Sequence, residues 1–297
     1  MRPASRSGVS GAVRDLVGAF LPLSARDLER EIDERLHRAP NRLNEYGYDP
    51  YGLSLDAARR MMLPMALLYR HYFRVETFGI EKVPSGRVLL IANHAGQLPF
   101  DGAMINVAML LEAEPPRICR AMGEYFLPRL PWMGVAMARM GSMVGTPENC
   151  VHMLENEECV VVFPEGARGM NKPYTERYQL QRMGLGFMRL ALETDTPIVP
   201  VAIVGSDDQQ PGLANFSGLA RMLGLPALPV TLGFPLLGPV GMLPLPVKYR
   251  IYFGQPMFFE GDANDEDAVN QSRVDAVRDA IEAMLIRGVR KRRGIFR

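Results

Sequence analysis

Hydrophobic residues follow two rhythms along this chain. Short, nearly continuous apolar runs alternate with longer stretches in which apolar residues return every three or four positions. The short runs are typical of buried β-strands and the longer stretches of amphipathic helices. The predicted strands span residues 87–93, 159–163, 198–204 and 247–253. The predicted helices span residues 24–38, 55–73, 101–112, 176–194 and 265–287.

The order of these elements indicates the fold class. Strands that alternate with helices are typical of an α/β fold. We therefore expect a mixed, largely parallel sheet flanked by helices, with an N-terminal helical extension and a C-terminal helix. Pro64 lies inside a predicted helix and predicts a kink. Pro200 lies inside a predicted strand and predicts an edge or bulge position, because proline cannot donate a hydrogen bond to the sheet.

Composition narrows the class of protein. The chain has 297 residues, of which 47% are hydrophobic and 23% charged, so we expect a packed core. Lys plus Arg is 34 and Asp plus Glu is 33, a formal charge of +1 that excludes a general nucleic-acid binder. Its 3 Cys cannot all pair and form no C-x-x-C, so we expect a reducing compartment and neither a disulfide framework nor a zinc cluster.

One segment carries no charge. It extends from Met222 to Val247. Its prolines are Pro226, Pro229, Pro235, Pro239, Pro244 and Pro246. So many prolines exclude a membrane-spanning helix, because its backbone hydrogen bonds would be broken. Two structures stay open: buried loops and short strands, or an apolar platform that dips into one leaflet of a membrane.

The two ends of the chain carry basic residues. The C-terminal tail contains Arg287, Arg290, Lys291, Arg292, Arg293 and Arg297 and no acidic residue. It is either a solvated, frayed terminus or a segment attracted to anionic lipid headgroups. The N-terminus is basic too, but Asp15 interrupts its apolar part and no small-residue cleavage site follows, so we predict no secretory signal.

A histidine and an aspartate follow the first predicted strand. His94 comes directly after it, and Asp101 opens the next predicted helix. The carboxyl end of a strand is where α/β folds place their sites. A carboxylate that orients an imidazole is what deprotonation of a hydroxyl requires. The alternative is structural: Asp101 is a helix cap and His94 a loop residue.

A second polar loop follows the strand over 159–163. There Glu165 and Arg168 lie three positions apart, and Gly166 and Gly169 directly follow them. Arginine suits bidentate contact with phosphate, and glycine allows close approach of the backbone. The alternative is a turn with an exposed ion pair. Lys172 adds positive charge nearby.

These loops together resemble the glycerolipid and lysophospholipid acyltransferase family, which includes 1-acyl-glycerol-3-phosphate acyltransferases. The family motifs N-H…D, F-P-E-G-[TS]-R-[SG] and V-P-V are similar to Asn93-His94…Asp101, the segment 163–169 and the segment 199–201. The resemblance covers roughly residues 75–255. It implies a catalytic domain over 79–260, preceded by a membrane-associating helical region over 1–78 and followed by a helix and basic tail over 261–297.

The resemblance also implies roles for individual residues. His94 is the general base and Asp101 its orienting carboxylate. The substrate-binding residues are Asn93, Glu165, Gly166, Arg168, Lys172 and Arg139. Glu165 would help to hold the acceptor hydroxyls and Arg168 the acceptor phosphate. The implied partners are an acyl thioester, carried by coenzyme A or an acyl carrier protein, a lysolipid, and the cytoplasmic surface of a membrane. No metal or cofactor is implied.

This sequence departs from the family pattern twice. The usual spacing is H-x4-D, whereas here it is H-x6-D, so the turn that contains Pro99 must bulge. The family's middle motif is G-x4-R, and Gly134 with Arg139 fits it. Alignment on the P-x-x-G that precedes the motif instead starts it at Gly141, with no arginine in the arginine's place.

Of four other functions, two remain as alternatives and two are disfavoured. Acyl transfer to an uncharged acceptor, such as diacylglycerol or a lipoamino acid, is the alternative within the enzyme class. A non-catalytic lipid-binding protein with the same fold is the alternative outside it. The sequence has no G-x-S-x-G and no phosphate-binding P-loop, which disfavours a serine hydrolase and a nucleotide-binding enzyme.

Overall fold

The structure is a computed structural model that describes residues 23–125, 127, 131–215, 229–231 and 233–297. The predictions for the N-terminus before residue 23, and for residues 222–228 and 232 of the uncharged segment, lie outside the described residues. The helices are α1 (Leu23–Arg38), α2 (Leu55–Leu67), α3 (Phe100–Leu111), α4 (Met133–Arg139), α5 (Pro147–Glu155), α6 (Ala167–Met170), α7 (Gly186–Glu193), α8 (Ser206–Gln209) and α9 (Asp267–Lys291). The strands are β1 (Glu76–Phe78), β2 (Val88–Ala92), β3 (Cys119–Gly123), β4 (Met143–Val144), β5 (Cys159–Val162), β6 (Ile198–Val204), β7 (Gly212–Asn215), β8 (Pro229–Thr231) and β9 (Arg250–Phe253).

Within the described ranges, seven strands form one sheet in the order β1-β9-β6-β2-β5-β3-β4. All neighbouring pairs are parallel except β6 and β9, which are antiparallel. Strand β2 lies between β5 and β6, and all five of its residues are buried. Such a strand is apolar on both faces, which explains its continuous hydrophobic run. This mixed, largely parallel sheet confirms the predicted fold class. Strands β7 and β8 form a separate antiparallel pair.

Helices cover both faces of the large sheet. On one face α1, α2 and α3 pack against alternate residues of β2 and β6, such as Leu90 and Val201. On the other face α5, α7 and α9 pack against the intervening residues, such as Leu89 and Ala202. The N-terminal helices therefore share a core with the sheet. Among the described residues, no helix has both the length and the apolar character needed to cross a membrane.

The edge position predicted for Pro200 is wrong. Strand β6 lies inside the sheet, between β2 and β9. The carbonyl of Pro200 accepts a hydrogen bond from the amide of Gly254, which follows the end of β9 (2.8 Å). The N–H and C=O of one strand residue point to the same side of the strand. The nitrogen of Pro200, which carries no hydrogen, therefore faces Gly254, just beyond the last paired residue of β9. The sheet therefore loses no regular hydrogen bond to the proline.

The helix predicted over 176–194 is wrong in its first half. Only Gly186–Glu193 is helical. The preceding segment is extended and irregular, because its backbone amides are used elsewhere: Tyr178 donates to Asp207 and Gln181 donates to Glu165. Apolar residues of the predicted face, including Leu180, Met183 and Phe187, are nevertheless buried. The helical spacing of the apolar residues therefore predicted correctly that they are buried, but the predicted helical conformation before Gly186 is wrong.

The helix predicted over 55–73 is confirmed, although its last turn differs. Helix α2 contains Pro64 and continues into a π-helical turn over Leu68–Tyr72. The predictions for helices 24–38, 101–112 and 265–287 and for strands 87–93, 159–163 and 198–204 are confirmed within a few residues at each end. The sequence pattern missed β1, β3, β4 and α5, whose apolar residues are too few or too scattered for a clear period.

Candidate active site

The site begins where β2 leaves the sheet. Asn93 follows β2 and is buried, and its side chain pairs with the backbone of Ile203 in β6. Its Oδ1 accepts from the Ile203 amide (2.7 Å), and its Nδ2 donates to the Ile203 carbonyl (3.2 Å). Asn93 thus continues the pairing of the two strands by one residue and fixes where His94 starts. Its predicted contact with substrate stays a prediction.

His94 and Asp101 meet directly. The Nδ1 atom of His94 lies 2.7 Å from Oδ2 of Asp101, which is in the first turn of α3. The Asp101 carboxylate also accepts from the backbone amides of Ala95 (3.0 Å) and Gly102 (2.8 Å). Asp101 is 0% exposed and His94 7%. A carboxylate oxygen accepts hydrogen bonds, so the ring nitrogen that faces it is the one that carries a proton. Asp101 therefore holds the proton of the imidazole on Nδ1 and leaves a lone pair on Nε2.

The turn between these two residues does bulge, as its length predicted. Gln210 accepts from the amide of Leu98 (3.0 Å), and Gln209 donates to the Leu98 carbonyl (3.1 Å). Gln209 is fixed in turn by the buried hydroxyl of Tyr249, which donates to its Oε1 (2.6 Å). The sequence analysis missed both glutamines. The available signal was a polar run, 206–210, directly after the apolar strand β6.

Glu165 lies beneath the histidine. Its carboxylate accepts from the backbone amide of His94 (2.9 Å) and from that of Gln181, and the residue is 1% exposed. Burial raises the pKa of Glu165, while the nearby charge of Lys172 acts to lower it. Glu165 therefore ties the β2 loop to the segment before α7. The contact with acceptor hydroxyls predicted for Glu165 stays a prediction.

Lys172 forms a buried ion pair. Its Nζ lies 2.9 Å from Oδ1 of Asp207 in α8, and both side chains are almost fully enclosed. Burial raises the pKa of Asp207 and the lysine charge acts against that shift. Because this pair already neutralises Lys172, its predicted substrate contact remains a prediction.

The loop after β5 contains the other predicted binding residues. Gly166 has φ of 56° and ψ of −149°, a conformation that is open almost only to glycine. Gly169 packs so closely that a Cβ there would lie 2.7 Å from the carbonyl oxygen of His94. Arg168 is exposed and donates to the Arg182 carbonyl (3.2 Å). Among the residues described, no carboxylate pairs with Arg168, so its charge is available to a ligand.

Arg139 has different neighbours. Its guanidinium lies over the ring of Tyr48, 4.1 Å from the centroid, and donates to the carbonyl of Gly52 (3.2 Å). These contacts join the end of α4 to the segment before α2. The contacts of the described residues do not connect Arg139 with His94 or Arg168, and its role in substrate binding stays a prediction.

One residue of the basic tail contributes to the interior. Arg292 pairs with the buried carboxylate of Asp208 and lies over the ring of Tyr178, 5.0 Å from the centroid. Asp208 also accepts from the hydroxyls of Tyr174 (2.9 Å) and Tyr178. The prediction of a frayed terminus is therefore wrong for Arg292, because a buried carboxylate needs its charge.

An apolar cavity of about 250 Å³ lies beside the loop after β5. Its lining includes Met122, Cys150, Val162, Pro164 and Phe187. Val162 and Pro164 flank Phe163, whose ring stacks on His94 with centroids 4.2 Å apart. Burial raises the pKa of the Cys150 thiol to about 12, which keeps it protonated. The cavity therefore offers hydrophobic space beside the loop after β5, on the face of the sheet that α5 and α7 cover.

The fold is that of an acyltransferase. The sequence profile of the Acyltransferase family matches residues 74–204. The chain is 40% identical over 260 residues to an uncharacterized protein of Mycobacterium tuberculosis, with 86% of this chain and 71% of the other covered. The chain belongs to the Acyltransferase family, as the motifs around His94 and Glu165 predicted.

More distant relatives share the fold or part of the sequence. A mouse protein described as a DGAT1/2-independent enzyme synthesizing storage lipids is 22% identical over 216 residues, which cover 71% of this chain and 59% of that one. The crystal structure of the 1-acyl-sn-glycerophosphate acyltransferase PlsC from Thermotoga maritima superposes with a TM-score of 0.51 at 15% identity. The superposition covers 94% of this chain and 88% of PlsC, and it shows a shared fold.

Proposed function

We propose that this protein transfers an acyl group from an acyl thioester to a hydroxyl of a lysophospholipid or other glycerolipid acceptor. The observation that carries the proposal is the 2.7 Å contact between His94 Nδ1 and the fully buried Asp101 carboxylate. That contact prepares Nε2 of His94 to accept a proton. No described residue forms a hydrogen bond with this nitrogen.

The proposed reaction has two proton transfers. His94 removes the proton of the acceptor hydroxyl as its oxygen attacks the thioester carbonyl, and a C–O bond forms. The tetrahedral intermediate then collapses, the C–S bond breaks, and the imidazolium returns the proton to the leaving thiolate. Asp101 stabilises the imidazolium between these steps. The products are an ester and a free thiol.

Two features support a phosphate-bearing acceptor such as 1-acyl-glycerol 3-phosphate. Arg168 follows the same loop that holds Glu165, and its guanidinium is exposed. Phosphate is the ligand that an unpaired guanidinium binds best. The apolar cavity beside the loop after β5 is suited to an acyl chain. The relative in Thermotoga maritima, which has the same fold, is described as acting on such an acceptor.

An uncharged acceptor is the second candidate. The guanidinium of Arg139, at the end of α4, already stacks on Tyr48. Arg168 would therefore bind a phosphate without help from Arg139. The mouse relative is described as synthesizing storage lipids. Transfer to monoacylglycerol or diacylglycerol fits both observations.

An acceptor screen tests the proposal. Purified protein receives radiolabelled acyl-coenzyme A or acyl-carrier protein together with 1-acyl-glycerol 3-phosphate, monoacylglycerol or diacylglycerol. We expect labelled ester with at least one pair and none with the His94→Ala variant. Loss of the phosphate-bearing product alone in Arg168→Ala identifies the charged acceptor. Failure to consume either thioester with any acceptor, while the protein binds vesicles, contradicts the proposal and favours a non-catalytic lipid-binding protein.

We also propose a peripheral location on the cytoplasmic face of a membrane. The substrates are lipids, and the uncharged segment exposes apolar side chains beside the site. The same screen, repeated with substrates in vesicles and in detergent, tests this location: we expect faster transfer in vesicles.

A further inference from the structure

We infer that an apolar loop and the basic C-terminal tail, which are adjacent in the fold, form one surface that docks on an anionic lipid bilayer. The apolar loop comprises residues 233–246, the described part of the uncharged segment after β8. Of the C-terminal tail, the inference concerns residues 291–297. The inference concerns membrane recognition and does not depend on the proposed reaction.

The apolar loop displays large hydrophobic side chains to solvent. The most exposed is Leu236 at 90%, and Leu237, Val240 and Leu243 are all more than half exposed. Exposed apolar patches of this kind mark interaction surfaces. The charge-free sequence around them suits the interior of a leaflet, where ionised side chains are excluded.

The backbone of this loop is fixed to the folded core. The amide of Leu245 donates to the Gln209 carbonyl (2.7 Å), and Tyr72 donates to the Pro244 carbonyl (2.7 Å). Gln210 donates to the Met242 carbonyl. The hydrophobic side chains are therefore held outward by a supported backbone, which lowers the entropy cost of docking.

The basic tail lies at the base of the same loop. Arg74 donates to the Pro246 carbonyl (2.8 Å) and to the Phe296 carbonyl (3.2 Å), so one guanidinium joins the loop to the tail. The amide of Lys248 donates to the Ile295 carbonyl (2.8 Å). The two features that are far apart in sequence are thus neighbours in space.

The tail also lines a positively charged cavity of about 610 Å³. Its basic residues are Lys248, Arg250, Lys291, Arg293 and Arg297. Glu76 pairs with Lys248 and Arg250. Within the described part of the chain no carboxylate pairs with Lys291, Arg293 or Arg297. This cavity therefore carries an excess of positive charge beside the apolar loop.

A bilayer with anionic headgroups fits this combination. A soluble anion would account for the cations and leave the leucines without a partner. An anionic bilayer satisfies both, because acyl chains receive the leucines while phosphate groups meet the arginines. The surface also adjoins the site, since Gln209 and Gln210 hold both the apolar loop and Leu98 of the His94 loop.

Vesicle flotation tests the inference. The probes are vesicles of phosphatidylcholine alone and vesicles of equal parts phosphatidylcholine and phosphatidylglycerol. The wild-type chain is expected to prefer the anionic vesicles. Leu236→Asp combined with Leu237→Asp should lower binding to both by more than about tenfold, because aspartate resists transfer from water. Arg293→Glu should lower binding to the anionic vesicles alone, by roughly tenfold, and addition of salt should mimic it.

Matched controls lie at the opposite end of the sheet. Phe258→Asp replaces a side chain that is 75% exposed next to Met257, which pairs with the first residue of β6. Lys82→Glu reverses an exposed charge beyond the far end of β1. Both should bind vesicles as the wild type does. His94→Ala should do so as well, which separates this inference from the proposed reaction.

Two results would overturn the inference. One is wild-type vesicle binding by both the leucine variant and Arg293→Glu. The other is a stable dimer in sedimentation velocity that the leucine variant dissociates, because the surface would then bind a second copy of this chain. Circular dichroism and thermal unfolding of each variant establish that it is folded.

Discussion

Around His94 the functional side chains are polar and buried, whereas along the apolar loop of residues 233–246 they are hydrophobic and exposed. Both arrangements oppose the usual distribution of side chains in a soluble protein, and both cost free energy of folding. At the site the cost is offset by hydrogen bonds, since the Asp101 and Glu165 carboxylates each accept backbone amides. Along the apolar loop hydrogen bonds hold the backbone, whereas side chains such as Leu236 and Leu237 stay exposed to solvent.

Because of this difference, the region around His94 and the apolar loop should respond differently to substitution. The buried polar region needs accurate geometry, and small changes there should alter turnover. The exposed apolar region needs surface chemistry, and changes there should alter vesicle binding and leave turnover of a soluble substrate unchanged. Variants of each region therefore test whether the two properties are separable.

Asp101→Asn is expected to have the largest effect. An amide cannot stabilise the imidazolium, and its NH2 group favours the wrong histidine tautomer. We expect kcat to fall roughly 10²- to 10⁴-fold with unchanged vesicle binding. Thiol release from acyl-coenzyme A measures it. The control is Asp195→Asn, an exposed aspartate that should behave as wild type. Turnover of Asp101→Asn within a factor of two or so of wild type would contradict the role of this carboxylate.

Gly169→Ala tests how tightly the buried region is packed. The added methyl group would approach the His94 carbonyl oxygen to 2.7 Å and must displace the β2 loop. We expect a loss of about 2 kcal/mol in the free energy of unfolding and about a tenfold loss in kcat. Urea unfolding and initial rates provide the two values. Gly186→Ala is the matched control, because a Cβ there meets nothing within 4 Å. Equal behaviour of the two variants would show that the packing around His94 tolerates displacement.

Arg168→Ala and Arg139→Ala distinguish an available guanidinium from an occupied one. Arg168 has no carboxylate partner among the described residues, whereas Arg139 stacks on Tyr48. We expect Arg168→Ala to raise KM for a phosphate-bearing acceptor roughly tenfold or more, without changing KM for the thioester. Arg139→Ala should leave both KM values unchanged. The reverse result would place the phosphate near α4.

Glu165→Gln is expected to change the pH dependence of stability. Burial raises the pKa of Glu165 above its ordinary value of 4.5, so the unfolded chain releases this proton first as the pH rises. The carboxyl's contribution is therefore present below about pH 4.5 and is lost as the pH rises through the folded-state pKa. The stability difference between wild type and Glu165→Gln should shrink from acid to neutral pH in urea unfolding. A difference that grows with pH would mean that the folded-state pKa is lowered.

How far the sequence predicted the site depended on the kind of signal. The sequence predicted roles for His94, Asp101, Glu165 and Arg168 because they form compact motifs at the ends of apolar strands. Gln209 and Gln210, which hold the turn between His94 and Asp101 through Leu98, come from a distant part of the chain, and a single sequence contains no record of that contact. Arg292 was missed for the same reason: a basic tail looks solvated until the buried carboxylate of Asp208 is placed beside it.

The fold was predicted well where the apolar period was long or continuous. Strand β2 and helix α9 are examples. The segment before α7 was not, because its apolar residues repeat with a helical period while its amides bind Glu165 and Asp207. Tertiary hydrogen bonds decided that conformation. Tertiary structure also explains Pro200. A proline is tolerated in this interior strand because β9 ends opposite it.

The most direct test of the central claim is thiol release from acyl-coenzyme A by wild type and by His94→Ala, in the presence of the preferred acceptor and at equal vesicle binding. We expect wild type to release thiol in step with ester formation. His94→Ala should be at least about 10²-fold slower while it stays folded and bound to vesicles. Wild-type rates in His94→Ala would contradict the claim that this imidazole is the general base.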